Sequence, residues 1–184
     1  MKDARSDEEL IAVANEGGQP GQLAFEALYH RHRDWVYGLA LRFTHQHDLA
    51  MDVTQEVFLY FLRKFPGFSL TARLTTFFYP AVRNLAMTHR GKAQRFAGND
   101  EALASVPDAA QESSDNRSEL SELLESLSEG HREVVLLRFV DGLSMQEIAV
   151  AMDLPVGTVK SRLHHALASL REDPRAKQFF DIPV

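Results

Sequence analysis

The stretch GNDEALASVPDAAQESSDNR, Gly98 to Arg117, limits the folds open to this chain more than any other feature. It mixes small and polar residues with one proline, five acids and no aromatic, so it buries too little apolar surface to offset the entropy of ordering it. A chain of 184 residues interrupted in this way cannot build one continuous core. It is expected to fold as an N-terminal domain over residues 1–97 and a C-terminal domain over 118–172, joined by a flexible acidic linker at 98–117 and followed by a tail at 173–184.

Both domains read as helical, which makes the fold class all-α: two small helical domains. Phe25, Leu28, Tyr29, Trp35, Val36, Leu39, Ala40 and Phe43 recur at helical spacing, and the polar stretch Thr44 to Asp48 interrupts them. A second series, Val53, Val57, Phe58, Phe61 and Leu62, stops at the breaker pair Pro66-Gly67. A third runs from about Leu74 to Phe96 with Pro80 inside it, which predicts a kink or a helix that starts afresh there.

In the C-terminal domain a helix is expected over Glu119 to Leu127 and another from Glu129 to Val140, ending at Asp141-Gly142. Ser144 with Glu147 three residues on is the signature of a capping box, and the helix it opens is expected to end near Met152. Asp153-Leu154 then turn into Pro155, and a last helix extends to about Arg171. Val159, Leu163, Ala166, Leu167 and Leu170 share one side of that helix. The other side carries Thr158, Ser161, His164, His165 and Ala168, flanked by Lys160 and Arg162. A helix of this kind fits the major groove of B-DNA, where short polar side chains reach base edges and cations hold phosphates. The competing reading, a solvated outer helix, does not account for capping box, tight turn, proline and polar outer face falling together.

Several function classes are excluded or disfavoured. The chain has no cysteine, so disulfides and thiolate metal sites are out. No stretch approaches the roughly 20 apolar residues of a membrane span, and MKDARSDEEL lacks the apolar run of a signal peptide, so a cytoplasmic protein without membrane insertion is expected. The histidine pairs His30/His32 and His45/His47 are two residues apart, which on a helix turns them to different sides. No nucleophile motif or glycine-rich phosphate loop accompanies them or His164-His165, so no enzyme, resident metal or cofactor is expected.

With these features in place, the sequence resembles the extracytoplasmic-function (ECF) sigma factors, the small promoter-recognition subunits of bacterial RNA polymerase within the sigma-70 family. LPVGTVKSRLHHALASLR resembles their region 4, and FEALYHRHRDWVYGLALRF, DVTQEVFLYFLRKFPGF and FFYPAVRNLAMTHRGKAQRF resemble their region 2. The resemblance implies a region 2 helical bundle and a region 4 helix-turn-helix. It assigns the reading of the promoter -35 element to Thr158, Lys160, Ser161, His164 and His165, with Arg162 on phosphate. Family members commonly carry arginine where His165 stands, and a neutral histidine is a weaker phosphate partner. Low DNA affinity of the protein by itself, with a shallow salt slope, is expected.

The resemblance places melting and capture of the -10 element in the N-terminal domain. From Val57 to Asn99 there is no Asp or Glu, while seven cations stand beside nine of the chain's seventeen aromatics, a composition that suits a single strand on its own terms. The loop Phe68 to Thr75 is the implied base-capturing loop. Phe68 and Tyr79 are the aromatics expected to stack on a base, and Arg83, Asn84, Thr88, Arg90, Lys92 and Arg95 form the implied duplex-facing set. The implied contact with the polymerase clamp, on the largest subunit, is the helix from about Asp48 to Arg63. There the family commonly shows an Asp-Ala-Glu-Asp run, and this chain has Leu49-Ala50-Met51-Asp52, which leaves Asp48, Asp52, Gln55 and Glu56. Thr54, taken to lie in the middle of that thinned face, is therefore a candidate phosphorylation site: a phosphate adds about -1.5 to -2 charge where acids are missing.

Core RNA polymerase and promoter DNA are thus the implied partners of a protein expected to be monomeric when free. That explains how a DNA reader can carry a formal charge of -6: the polymerase supplies most of the nucleic-acid affinity, and acidic surface limits wandering onto random DNA. Control by an anti-sigma factor, by a Ser/Thr kinase or by expression alone stays open. The alternative, a free-standing helix-turn-helix regulator, usually needs a dimer on a palindrome, and no dimerisation heptads are present.

Overall fold

The computed structural model describes residues 3–96 and 122–173, except the side chains of Gln94 and Phe96. The expected linker at 98–117 lies outside the described residues, as does the tail beyond Asp173. The chain divides into two compact units, residues 1–107 and 108–184. Every regular element among the described residues is helical, as the apolar periodicity predicts.

The N-terminal unit opens with a helix that the apolar periodicity does not announce, α1 (Asp7–Glu16). Its start is a capping box in which Ser6 Oγ accepts from the Glu9 N–H (3.2 Å) while the Glu9 carboxylate accepts from the Ser6 N–H (2.6 Å). Asp7, Glu8 and Glu9 complement the dipole of its first turn. Leu10, Ile11 and Ala14 are buried. At its far end Gly21 lets the backbones approach, since a Cβ there would stand 3.2 Å from the Ala14 carbonyl oxygen. At its near end Asp7 holds Arg31 (2.7 Å) and His32 (2.9 Å).

Helix α2 (Gly18–Thr44) is stopped by His45 in the left-handed conformation, φ 55°, within the polar interruption expected there. Thr44 donates back to the Ala40 carbonyl at 2.9 Å. Helix α3 (His47–Leu62) follows, and after the turn containing Pro66 and Gly67 comes α4 (Leu74–Phe96). Pro80 does not restart this helix; one helix runs through it. Phe78, Tyr79 and Val82 on either side of the proline are essentially fully buried, so packing holds the chain helical across the missing N–H. Phe61 centres the core, with the rings of Phe25, Phe65, Phe68, Phe77 and Phe78 at centroid distances of 5.1–5.5 Å.

In the C-terminal unit the helical residues 122–125 (α5) lead into α6 (Glu129–Phe139). Arg132 ties the two together, donating to the carbonyls of Leu124 (2.9 Å) and Glu125 (2.9 Å). The Ser144–Glu147 capping box starts α7 (Met145–Met152) as expected, at 3.2 and 2.7 Å. Asp153, φ 53°, and Pro155 turn the chain into α8 (Val156–Glu172). Val159, Leu163, Ala166 and Leu170 bury one side of α8 against Val134, Leu137 and Ile148 of the same core.

Candidate nucleic-acid interface

The outer side of α8 carries the expected residues. Lys160, Ser161, His164 and His165 are exposed, and Thr158 and Arg162 are half-buried. Ser161 Oγ donates to the Thr158 carbonyl at 3.0 Å, which leaves its lone pairs outward for a donor. Arg162 leans onto the first turn of α6, where a Cβ on Gly130 would stand 3.0 Å from its Nη1. His165 stacks against His131 of α6, ring centroids 6.4 Å apart, and meets His164 at 5.7 Å. The sequence gives no sign of His131 at this face, because only the packing of α6 beside α8 brings it there.

The cationic set on α4 separates into two groups. Asn84, Thr88, Lys92 and Arg95 fall within about 80° of arc at 100° per residue, and all four are exposed. Arg83 and Arg90 lie roughly 100° further round and are half-buried. Arg90 Nη1 donates to the Phe43 carbonyl at 3.0 Å, so this side chain closes the last turn of α2.

Of the two aromatics expected to stack on a base, Tyr79 is buried, against that expectation, while Phe68 is half-buried. Tyr79 is 1% exposed, with its ring edge-on to Phe43, and presents no face to solvent. Its position one residue before Pro80 suggests a helix start; the helix instead begins at Leu74 and carries Tyr79 inward. Phe68 is half-buried, in contact with Phe61, Phe65 and Phe77 at 5.0–5.6 Å. The loop backbone beside it is held by α1: the Asn15 carboxamide accepts from the N–H groups of Gly67 (2.6 Å) and Phe68 (3.1 Å) and donates to the Phe68 carbonyl (2.8 Å).

On α3, Asp48, Asp52, Gln55 and Glu56 are exposed within about 100° of one another. Leu59 (52% exposed) lies within that arc, and Leu62 (47%) and Met51 (53%) lie about 20° and 40° beyond its Gln55 edge. These three are not among the expected contact residues, although their helical spacing from Asp48 and Gln55 is legible in the sequence. Acidic residues interleaved with exposed large apolar ones make a surface suited to a protein partner. Glu56 also meets His89 of α4 at 3.0 Å. Thr54 is not in the middle of this face: it sits about 100° beyond its edge, half-buried, with its hydroxyl donating to the Ala50 carbonyl at 2.7 Å.

Among the described residues no helix is long and apolar enough to cross a membrane, and no cluster of three or more His, Asp or Glu side chains could hold a metal ion.

Comparison with known proteins matches both units. The model of sigma-70 region 2 matches residues 28–96, and that of sigma-70 region 4 matches residues 117–170. The chain is 30% identical to the RNA polymerase sigma-H factor of Pseudomonas aeruginosa, with 90% of this chain and 92% of that one covered. It is 31% identical to the ECF RNA polymerase sigma-E factor of Escherichia coli, covering 90% and 93%. The fold is shared with CnrH, solved in complex with the cytosolic domain of CnrY, at a TM-score of 0.64 and 23% identity over 90% of this chain and 94% of that one. It is shared equally with the sigma factor RpoE of Bartonella quintana, solved with the anti-sigma factor NepR, at a TM-score of 0.64 and 23% identity over 80% and 94%.

Proposed function

The chain belongs to the sigma-70 family, among its ECF sigma factors, and acts in promoter-directed initiation of transcription without being an enzyme; from that premise we propose a division of labour among its faces. Residues 1–97 form the region 2 domain, 98–117 the linker and 118–172 the region 4 domain. The α3 face of Asp48, Asp52, Gln55 and Glu56, extended by Met51 and Leu59, docks on the clamp of core RNA polymerase. The α4 stripe of Asn84, Thr88, Lys92 and Arg95 lies along the -10 element, and residues 68–73, the part of the expected loop Phe68 to Thr75 that precedes the start of α4 at Leu74, take a base from the opened strand. The outer side of α8, through Lys160, Ser161, His164 and His165, reads the -35 element, in the cytoplasm where the polymerase works.

The observation that carries this reading is the pairing of two chemically different outward faces in one helical unit: acidic and apolar on α3, cationic and polar on α4. A protein partner suits the first and a nucleic acid the second. The protein should bind bacterial core RNA polymerase and support run-off transcription in vitro. Asp52→Arg should lower core binding, Lys92→Ala with Arg95→Ala should lower promoter opening, and Ser161→Ala should lower selection of the -35 element. Failure of both the unmodified and the kinase-treated protein to bind core polymerase, or tight binding to a symmetric operator without polymerase, would overturn the assignment.

Phosphorylation of Thr54 as a switch for polymerase binding belongs to the same experiment. A phosphate there must displace the bond to Ala50 and reach the α3 face from its edge. Stronger core binding by kinase-treated protein than by untreated protein, lost in Thr54→Ala, supports it. Tight binding by the unmodified chain removes it. An anti-sigma factor would act differently, by covering the same faces.

A further inference from the structure

We propose that Asn15, on α1 and ahead of the matched residues 28–96, is a positioning residue for the α3–α4 loop and thereby sets base selection at the -10 element. The inference rests on the reading of residues 68–73 as the loop that takes the base.

Eleven residues, 63 to 73, join α3 to α4, and this connection turns sharply at Gly67, φ 106°. A loop of that length exposes backbone polar groups and samples many conformations unless something fixes it. One carboxamide fixes this one. Asn15 satisfies the N–H of Gly67 and both the N–H and the carbonyl of Phe68, from 52 and 53 residues away. Few side chains can do this: aspartate accepts both N–H bonds but cannot donate to the Phe68 carbonyl, and leucine makes none of the three. The Phe68 ring is held from the other side by Phe61, Phe65 and Phe77. Backbone and ring together therefore set where the following loop residues start.

The support behind Asn15 is itself rigid. Helix α1 is capped by Ser6 and Glu9, held at its start by Asp7 on Arg31 and His32, and pressed onto α2 at Gly21 near its end. A site delivered from such a scaffold binds with less ordering cost and discriminates more sharply than one on a loose loop. Because Asn15 is half-buried and Gly67 exposed, water can reach the groups that the carboxamide leaves when it is removed, so the fold survives while the loop loosens.

The test is run-off transcription by the reconstituted holoenzyme on promoter templates randomised over the -10 element, with the transcribed templates sequenced. Wild type should enrich particular bases at one or more -10 positions. Asn15→Ala should lower that enrichment by about tenfold, the scale of one or two lost hydrogen bonds, while leaving core polymerase affinity and -35 selection unchanged. Asn15→Asp, which keeps the two accepted bonds, should fall between them. Equal enrichment by wild type and Asn15→Ala overturns the role of Asn15 alone. Loss of core binding and -35 selection together with -10 selection also overturns it, by making Asn15 a general stabiliser. Absence of any -10 enrichment by an active wild-type holoenzyme overturns the reading of the loop and the proposal with it.

Discussion

Arg90 of α4 reaches across to the carbonyl of Phe43, 3.0 Å away, and closes the C-terminal turn of α2. A cation that looks available for DNA in the sequence is thus engaged in joining two helices. Arg90→Ala should cost about 1.5–3 kcal/mol of stability, the range for a hydrogen bond from a charged group. Lys92→Ala, on the outer stripe, should change stability by no more than about 0.5 kcal/mol. Chemical denaturation of the two variants separates the roles, and equal stability loss in both would contradict the division of the α4 cations.

The C-terminal unit depends on a local device at the start of α7. Ser144→Ala removes one half of its capping box and should cost about 1 kcal/mol. Ser144→Asp restores a capping acceptor and should recover most of it. Urea unfolding of the full chain, followed by a probe in residues 122–173, reads both.

His32 makes the N-terminal unit sensitive to pH. Burial holds its imidazole below the ordinary value of 6.5, and Asp7 beside it pulls only part of the way back. The unfolded chain therefore binds a proton at a pH where the folded chain does not. Stability should fall as pH drops through 6.5, and the loss should level off below the lowered folded value. Between pH 7.5 and 5.5 wild type should lose more stability than His32→Gln; equal loss in the two would remove His32 as a source of the pH response.

Lys160 is exposed on the outer side of α8 and carries one positive charge toward the proposed DNA face. In the holoenzyme, Lys160→Ala should reduce the slope of log K against log salt by about one. Ser161→Ala should leave the slope unchanged and instead relax -35 base preference. Promoter binding measured over a salt series distinguishes these two effects.

What is legible in the sequence is what rests on short separations. The Ser144–Glu147 cap is three residues long, the apolar spacing of α8 repeats within a few turns, and the stop after α2 falls at a polar run of five residues. The same kind of signal, Ser6 with Glu9, marks the start of α1. The exposed stripe of Met51, Leu59 and Leu62 is equally within reach of helical spacing.

Other features have no local signal. Nothing near Tyr79 in the chain says that its ring faces Phe43 rather than solvent, because that depends on how α4 rolls against α2. Thr54 is the exception, since 100° per residue already puts it beyond the edge of the α3 face and its hydroxyl bonds the Ala50 carbonyl one turn back. Arg90 finds Phe43 across 47 residues, and Asn15 finds Phe68 across 53. By itself the sequence determined the helices, their caps and the chemistry each face can offer, because hydrogen-bond rings and apolar periods close within a turn or two. Which cations and rings remain for a partner was decided only by the tertiary structure, since burial and long-range hydrogen bonds arise when helices far apart in the chain pack together.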